Sequence, residues 1–168
     1  MRGHVYETWM ETMGTFMCSM GCAAFFKVLP LRIQEFDLNS LTFAQDSRSY
    51  LLQVCKQFLK KEDLVFFLSS FVPMINSLDS SRETAAKPGH QDYSMVKAKK
   101  YETLQVQIWE LMPIFCRFNS ARYSEAVATI IGYLEPMVNK NILGLRITAL
   151  KTFSEIISHC KNTKVVTD

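Results

Sequence analysis

Lysines are the residues of this sequence best placed to do chemistry. Lys97, Lys99 and Lys100 stand together in "MVKAKK", and Lys56, Lys60 and Lys61 form a second group in "VCKQFLKK". Clustered ammonium groups can meet phosphate oxygens as point charges and release condensed counterions. An ordinary solvated helix face carries the same residues, so both groups are candidate contacts for RNA or for a protein partner. No catalytic set accompanies them. His4, His90 and His159 are far apart in the chain. The patterns of zinc peptidases, nucleophile elbows and glycine-rich phosphate loops are absent. Glu62 and Asp63 are adjacent carboxylates, but they suit the first turn of a helix, where the dipole favours negative charge. Cys18 and Cys22 would share one helix face, yet no paired histidine or second cysteine pair is there to complete a zinc site. The chemistry-bearing residues thus describe a chain that is not an enzyme, with no cofactor, no metal and no small-molecule substrate.

The composition narrows this further. A length of 168 residues suits one domain, and 48% apolar with 21% charged residues reads as globular and ordered. A formal charge of +3 is mildly basic, well below that of a dedicated nucleic-acid domain. The five cysteines are an odd, scattered set in apolar surroundings, which predicts reduced, buried thiols and an intracellular setting. Glu7 and Glu11 interrupt the N-terminal stretch, so it does not read as a secretory signal. The charge-free runs Thr12 to Phe26 and Leu64 to Leu78 fall short of the roughly 20 residues that a membrane span needs, and no membrane contact is expected.

The elements that must position the lysines are helices. Val5, Trp9, Met13, Phe16, Met17 and Met20 recur every three to four residues and predict a first helix that Gly21 could break. A short segment from Cys22 to Leu29 follows, then a loop from Leu31 to Ser47. An amphipathic helix over 48–59 turns Leu51, Leu52, Cys55, Phe58 and Leu59 inward, and another over 62–78 follows it closely. The stretch "SSRETAAKPGHQD" reads as a linker at about 79–92. A long helix is then predicted from near Tyr93 to about Arg117, basic at its start and apolar after, with Trp109 as a core anchor. Amphipathic pieces over 124–138 and 143–160 close the chain; the second carries a stripe of Leu145, Thr148, Ala149, Phe153, Ile156 and Ile157. No segment alternates convincingly as a strand. The fold class is all-α: one helical repeat domain over 1–160 with that internal linker, and a flexible tail over 161–168.

Three prolines sharpen the repeat expectation. "VLPL", "FVPMI" and "LMPIF" each set a proline among large apolar residues, at Pro30, Pro73 and Pro113, and Pro136 falls outside the series. Their spacing of roughly 40 residues is that of HEAT and armadillo hairpins. A proline inside a helix costs about 3 kcal/mol and kinks the rod. Such a kink persists where packing on several sides dictates it, as in stacked hairpins, whose inner helices are apolar on most faces.

The stretch "YETLQVQIWELMPIFCRF" at 101–118 resembles the signature helix of the ribosomal RNA-processing protein 12 family, large HEAT-repeat factors of small-subunit assembly. The family pattern of Gln-x-Gln-x-Trp-x-Leu-Leu-Pro-x-Phe-Cys type appears here as Gln105, Gln107, Trp109, Leu111, Met112, Pro113, Phe115 and Cys116. "FFKVLPLRI" from Phe25 and "SYLLQVCKQFLKKEDLVFFLSSFVPMINSL" from Ser49 resemble the family's preceding segments in the same order, so the resemblance covers about residues 20–118. After Cys116 the family continues with a short turn containing Pro and Asp, whereas "RFNSARYSEA" has neither. Family members are far longer, so the chain reads as a fragment or a divergent short product. The resemblance implies HEAT/armadillo-like stacked hairpins, an α-solenoid fragment. It implies a non-enzymatic scaffold in ribosomal RNA processing and in small-subunit assembly or export. The partners would be the pre-ribosomal particle, with its small-subunit precursor RNA and assembly proteins. The location would be nucleolus and nucleus, with shuttling to the cytoplasm as an option. The competing reading is a general protein-interaction module of armadillo or transport-receptor type without RNA contact.

Overall fold

Helix α1 (Arg2–Met20) ends at Gly21, whose φ of 76° lies where a side chain would be strained, and α2 (Cys22–Val28) starts directly after it. These coordinates come from a computed structural model. It describes residues 2–33, 36–37, 42–43, 47–60, 62–90, 93–117 and 122–165, with backbone alone at 2, 3, 36, 37, 42, 43 and 161–165. Among them follow the two-residue strands β1 (Phe36–Asp37) and β2 (Thr42–Phe43), α3 (Leu51–Phe58) and α4 (Leu64–Phe66). A π-helical turn, Phe67–Phe71, leads into α5 (Val72–Ala86), then α6 (Met95–Trp109), α7 (Met112–Phe115), α8 (Tyr123–Asn139) and α9 (Leu143–Val165). The class is all-α, as the periodicity predicts. The exception falls inside the expected loop over 31–47, where β1 and β2 pair antiparallel with Phe36 opposite Phe43. The rest of 34–46 lies outside the described residues.

The chain forms two compact units. The first comprises Met1–Leu59 with Met74–Gln105, the second Lys60–Pro73 with Val106–Asp168. In the first unit α1 packs on α3 and α2. The face it buries is Met10, Gly14 and Met17. The predicted stripe is therefore corrected: Val5, Phe16 and Met20 point outward and are exposed. Glycine decides the face, because a Cβ on Gly14 would sit 2.2 Å from Cγ of Phe58. The small residue lets α3 close in on that side. On α3, Leu51, Leu52, Cys55 and Leu59 are buried as predicted, Val54 joins them, and Phe58 is half-buried.

The expected first turn at Glu62 and Asp63 is corrected: the helix starts at Leu64, and Asp63 caps it from outside, its carboxylate accepting a hydrogen bond from the Val65 amide. The helix that begins there runs on through Ala86, so residues 79–86 of the expected linker are helical. The stretch is polar but holds no breaker before Pro88. Arg82 pairs with Asp79 a turn away, while the Ser80 and Thr84 hydroxyls donate back to the carbonyls of Asn76 and Ser80. The chain turns at 87–90, where Gly89 takes φ 82°. By length and composition the run Leu64–Ala86 could cross a membrane, and a third of its most apolar stretch is buried in the protein.

The second unit is built around rings. Phe67 meets Phe71, Trp109 and Phe115 at centroid distances of 5.4, 5.8 and 5.3 Å, and Trp109 meets Tyr133 at 5.9 Å. Trp109 is the core anchor expected of it. The predicted long helix over 93–117 is corrected. It stops at Trp109, and Pro113 sits in the first turn of the separate helix α7, where its missing N–H costs nothing. Pro30 follows the end of α2, Pro73 lies just after the π-helical turn, and Pro136 lies inside α8. The three echoing prolines thus hold three different backbone roles. Helices α8 and α9 form a hairpin, and α9 also packs on α7. It buries Leu145, Thr148, Ala149 and Ile156 from the predicted stripe, with Phe153 half-buried and Ile157 exposed. Its backbone stays helical to Val165, so most of the expected tail is helix; 166–168 lie outside the described residues.

Candidate interaction surface

The first turns of α6 present the lysines of "MVKAKK". Ser94 sets the helix start: its amide donates to the Ala85 carbonyl at 2.8 Å, and its Oγ accepts the Lys97 amide at 3.3 Å. From there a helix cannot keep three near-consecutive lysines on one face. Lys97 lines a notch of about 240 Å³ with Ser80, Ser81, Thr84, Ala85 and Tyr101. Lys99 and Lys100 line a shallow groove of about 390 Å³ with Met95, Val96 and Thr103. The groove thus brings Lys99 and Lys100 together, while Lys97 stands one turn before Lys100 on the side toward the notch, across the helix from Lys99. Lys99 also forms an ion pair with Glu102, one turn on.

The other lysine group is more spread. Lys56 is exposed in the last turn of α3, Lys60 is exposed after that helix ends, and Lys61 lies outside the described residues. Beside the α6 lysines, sequence reasoning missed Met95 and Val96, both more than half exposed. The signal was legible: two large apolar residues stand directly before the lysines, on the same side by helical spacing.

The remaining reactive groups do not converge. Cys22, Cys55 and Cys116 are buried, but Cys18 and Cys160 are exposed, which corrects the expectation that all five are core residues. Burial pushes the Cys116 thiol up to about 12, with the Glu155 carboxylate adding to the effect. His4 and His90 are exposed, and His159 packs against the Tyr123 ring at 4.7 Å. Among the described residues no three of His, Cys, Asp and Glu are arranged to hold a metal ion.

With helices, hairpin and lysine face in place, comparison with known proteins is decisive about ancestry. The sequence pattern described as "Ribosomal RNA-processing protein 12, HEAT repeats" matches residues 4–167. The chain belongs to this family. It is 35% identical over 106 residues to the RRP12-like protein of Homo sapiens, a match covering 63% of this chain and 8% of that protein. Over the same length it is 32% identical to the RRP12-like protein of Gallus gallus, and 28% identical to the putative ribosomal RNA-processing protein 12 of Schizosaccharomyces pombe. The matched part of the chain spans 8% of the length of each of these relatives.

Membership gives the signature run a structural meaning. Trp109, Leu111, Met112, Pro113, Phe115 and Cys116 are all buried. Gln105 is buried too, and its Nε2 donates to the Ile75 carbonyl of α5 at 3.2 Å. Of the residues that carry the resemblance in this run, all but the half-buried Gln107 thus make core. The family match also runs past Cys116, into the segment that lacks the Pro-Asp turn. There the Tyr123 hydroxyl donates to the Cys116 carbonyl at 2.7 Å, and Arg117 forms an ion pair with Glu155 at 2.6 Å. Those two contacts hold the start of α8 and the body of α9 to the end of α7.

Proposed function

We propose that this chain is a non-enzymatic segment of a HEAT-repeat scaffold in ribosomal RNA processing, acting in assembly or export of the small ribosomal subunit. The observation that carries the reading is the family match over 4–167, and the α6 lysines supply a surface able to serve it. Lys99 and Lys100, with Lys97 beside them, neutralise phosphates of precursor RNA, while Lys56, Lys60 and Lys61 add a second set of contacts. The helices hold these charges in place and contribute no bond-making step. The partners are small-subunit precursor RNA and assembly proteins, and the site of action is the nucleolus and nucleus, with shuttling to the cytoplasm.

The test has two parts. The tagged chain, expressed in cells, is separated on a sucrose gradient and each fraction is probed for small-subunit precursor RNA. Co-migration that is lost after nuclease or in high salt supports the reading; migration only as a small free protein overturns it for this segment. In vitro, Lys97→Glu, Lys99→Glu and Lys100→Glu together should flatten the salt dependence of RNA affinity by about two to three in log–log slope, since each lost phosphate contact removes about 0.7 to 0.9. Unchanged RNA affinity in that variant would leave the alternative, a protein-interaction module without RNA contact.

A further inference from the structure

Helix α9 is apolar on two opposite faces. One buries Leu145, Thr148, Ala149, Thr152 and Ile156 within its own unit. The other carries Leu143, Ile147, Leu150 and Ile157, which remain 71%, 43%, 64% and 53% exposed. With the exposed Ser154 between the last two, these residues follow one another in alternating steps of four and three. That is the spacing of a seam that meets another helix, knobs into holes. Soluble surfaces scatter such residues singly; a row of them marks an interface. Arg146 and Lys151, both exposed, flank the seam on either side by helical spacing. The half-buried acid of this stretch, Glu155, is turned away into its ion pair with Arg117. The rims of the seam are therefore positive.

We infer that the outer face of α9 docks a partner helix with an apolar seam at heptad spacing and acidic residues along both edges. A helix fits better than other occupants for two reasons. The inner face of α9 already packs against helices, α7 and α8, so a further helix continues the same layering. Ser154, a polar residue in mid-seam, suits a register-setting position in helix pairing and disfavours burial in lipid. The inference is independent of the RNA-binding reading, because it uses none of the α6 lysines.

The probe is a synthetic three-heptad amphipathic helix with leucine along its seam and glutamate on both edges; the control peptide carries lysine at those edges. Like charges along the edges keep either peptide from pairing with itself. Fluorescence anisotropy on the whole chain should detect the glutamate peptide and not the lysine peptide. Leu150→Glu should weaken binding at least about tenfold, since it places a charge in the apolar contact. A second variant, Arg146→Glu with Lys151→Glu, should reverse the preference toward the lysine peptide, which a merely unfolded protein would not do. Equal binding of both peptides, or no binding of either, overturns the inference. So does a concentration-dependent mass increase of the chain alone that Leu150→Glu abolishes, which would give the face to a second copy. Uptake onto anionic vesicles without peptide binding would give it to lipid and overturn the inference as well.

Discussion

In the unit formed by Met1–Leu59 with Met74–Gln105, α1 meets α3 through soft and small groups. Met17 Sδ lies 3.6 Å from Cys55 Sγ, and Gly14 sits under the Phe58 ring. In the unit formed by Lys60–Pro73 with Val106–Asp168, the rings of Phe71, Phe115 and Tyr133 converge on Phe67 and Trp109, and Phe66 and Phe71 also lie against Phe115 at 6.4 and 5.9 Å. A thioether has three rotatable bonds and can refill a gap; an aromatic ring has few alternatives and leaves a large one. The second unit should therefore resist small perturbations through shape, and suffer most when one ring is removed.

The largest expected effect tests that contrast. Phe67→Ala should cost about 3–5 kcal/mol, read by urea unfolding in a Trp9→Phe background, where Trp109 fluorescence is the local probe. Met17→Leu, equally buried in the other unit, should cost less than about 1.5 kcal/mol. If the two changes cost the same, the distinction between stiff and soft packing is wrong.

Glycine sharpens the same comparison at a smaller scale. Gly14→Ala forces the Phe58 ring aside and should cost about 1–3 kcal/mol by overpacking. Gly132 lies in the middle of α8, where an added Cβ meets nothing within 4 Å. Gly132→Ala should instead stabilise by about 0.5–1 kcal/mol, because alanine is the better helix former. Thermal melts of both variants check the opposite signs.

How much of this could be read in the sequence depends on what each feature obeys. Apolar spacing alone located α3, α8 and most of α9, and the acids Glu62 and Asp63 marked a helix start to within two residues, though Asp63 proved to cap the helix and not to lie in its first turn. Spacing failed on α1 because apolar residues cover more than one face; only the fit of Gly14 against Phe58 chooses between them. The run Ser80–Ala86 looked like a linker because it is polar, yet nothing in it breaks a helix, and local side-chain bonds carry it. Pro113 looked like a kink because the residues around it are apolar, but a proline in a first turn and one in mid-helix look alike in one dimension. For the lysines the sequence showed the cluster and hid which side each lines: Lys97 and Lys100 are a turn apart, and Lys99, two residues from Lys97, lies across the helix from it.

The contacts after Cys116 give a smaller, pH-dependent effect. Burial raises both the Cys116 thiol and the Tyr123 hydroxyl, so the folded state favours their neutral forms. A thiol ordinarily loses its proton near about 8.5. Below that pH the contribution to stability is complete, and it is lost as pH rises toward about 12, where the folded thiol titrates. The melting temperature should therefore fall on the alkaline side, and less steeply in Cys116→Ala or Tyr123→Phe. At neutral pH, Tyr123→Phe should cost about 1 kcal/mol for the hydrogen bond to the Cys116 carbonyl. An alkaline limb of the same slope in both variants would separate these groups from the effect.

Lys99 gives the smallest effect on stability and, for that reason, the cleanest reading of the surface. Its ion pair with Glu102 joins two side chains a turn apart at the exposed end of α6, where water screens the charges and side-chain entropy opposes their ordering. Lys99→Ala should leave stability within about 0.5 kcal/mol of the parent in a urea titration. The same change should lower the salt slope of RNA binding by about 0.7 to 0.9, one phosphate contact, if the proposed function is right. A core residue cannot give that pair of results, because its removal disturbs folding first. Loss of RNA affinity with stability unchanged would assign the lysine to recognition. Stability falling in step with affinity would make Lys99 part of what holds α6 together and return the surface to the solvated helix face from which it had to be distinguished.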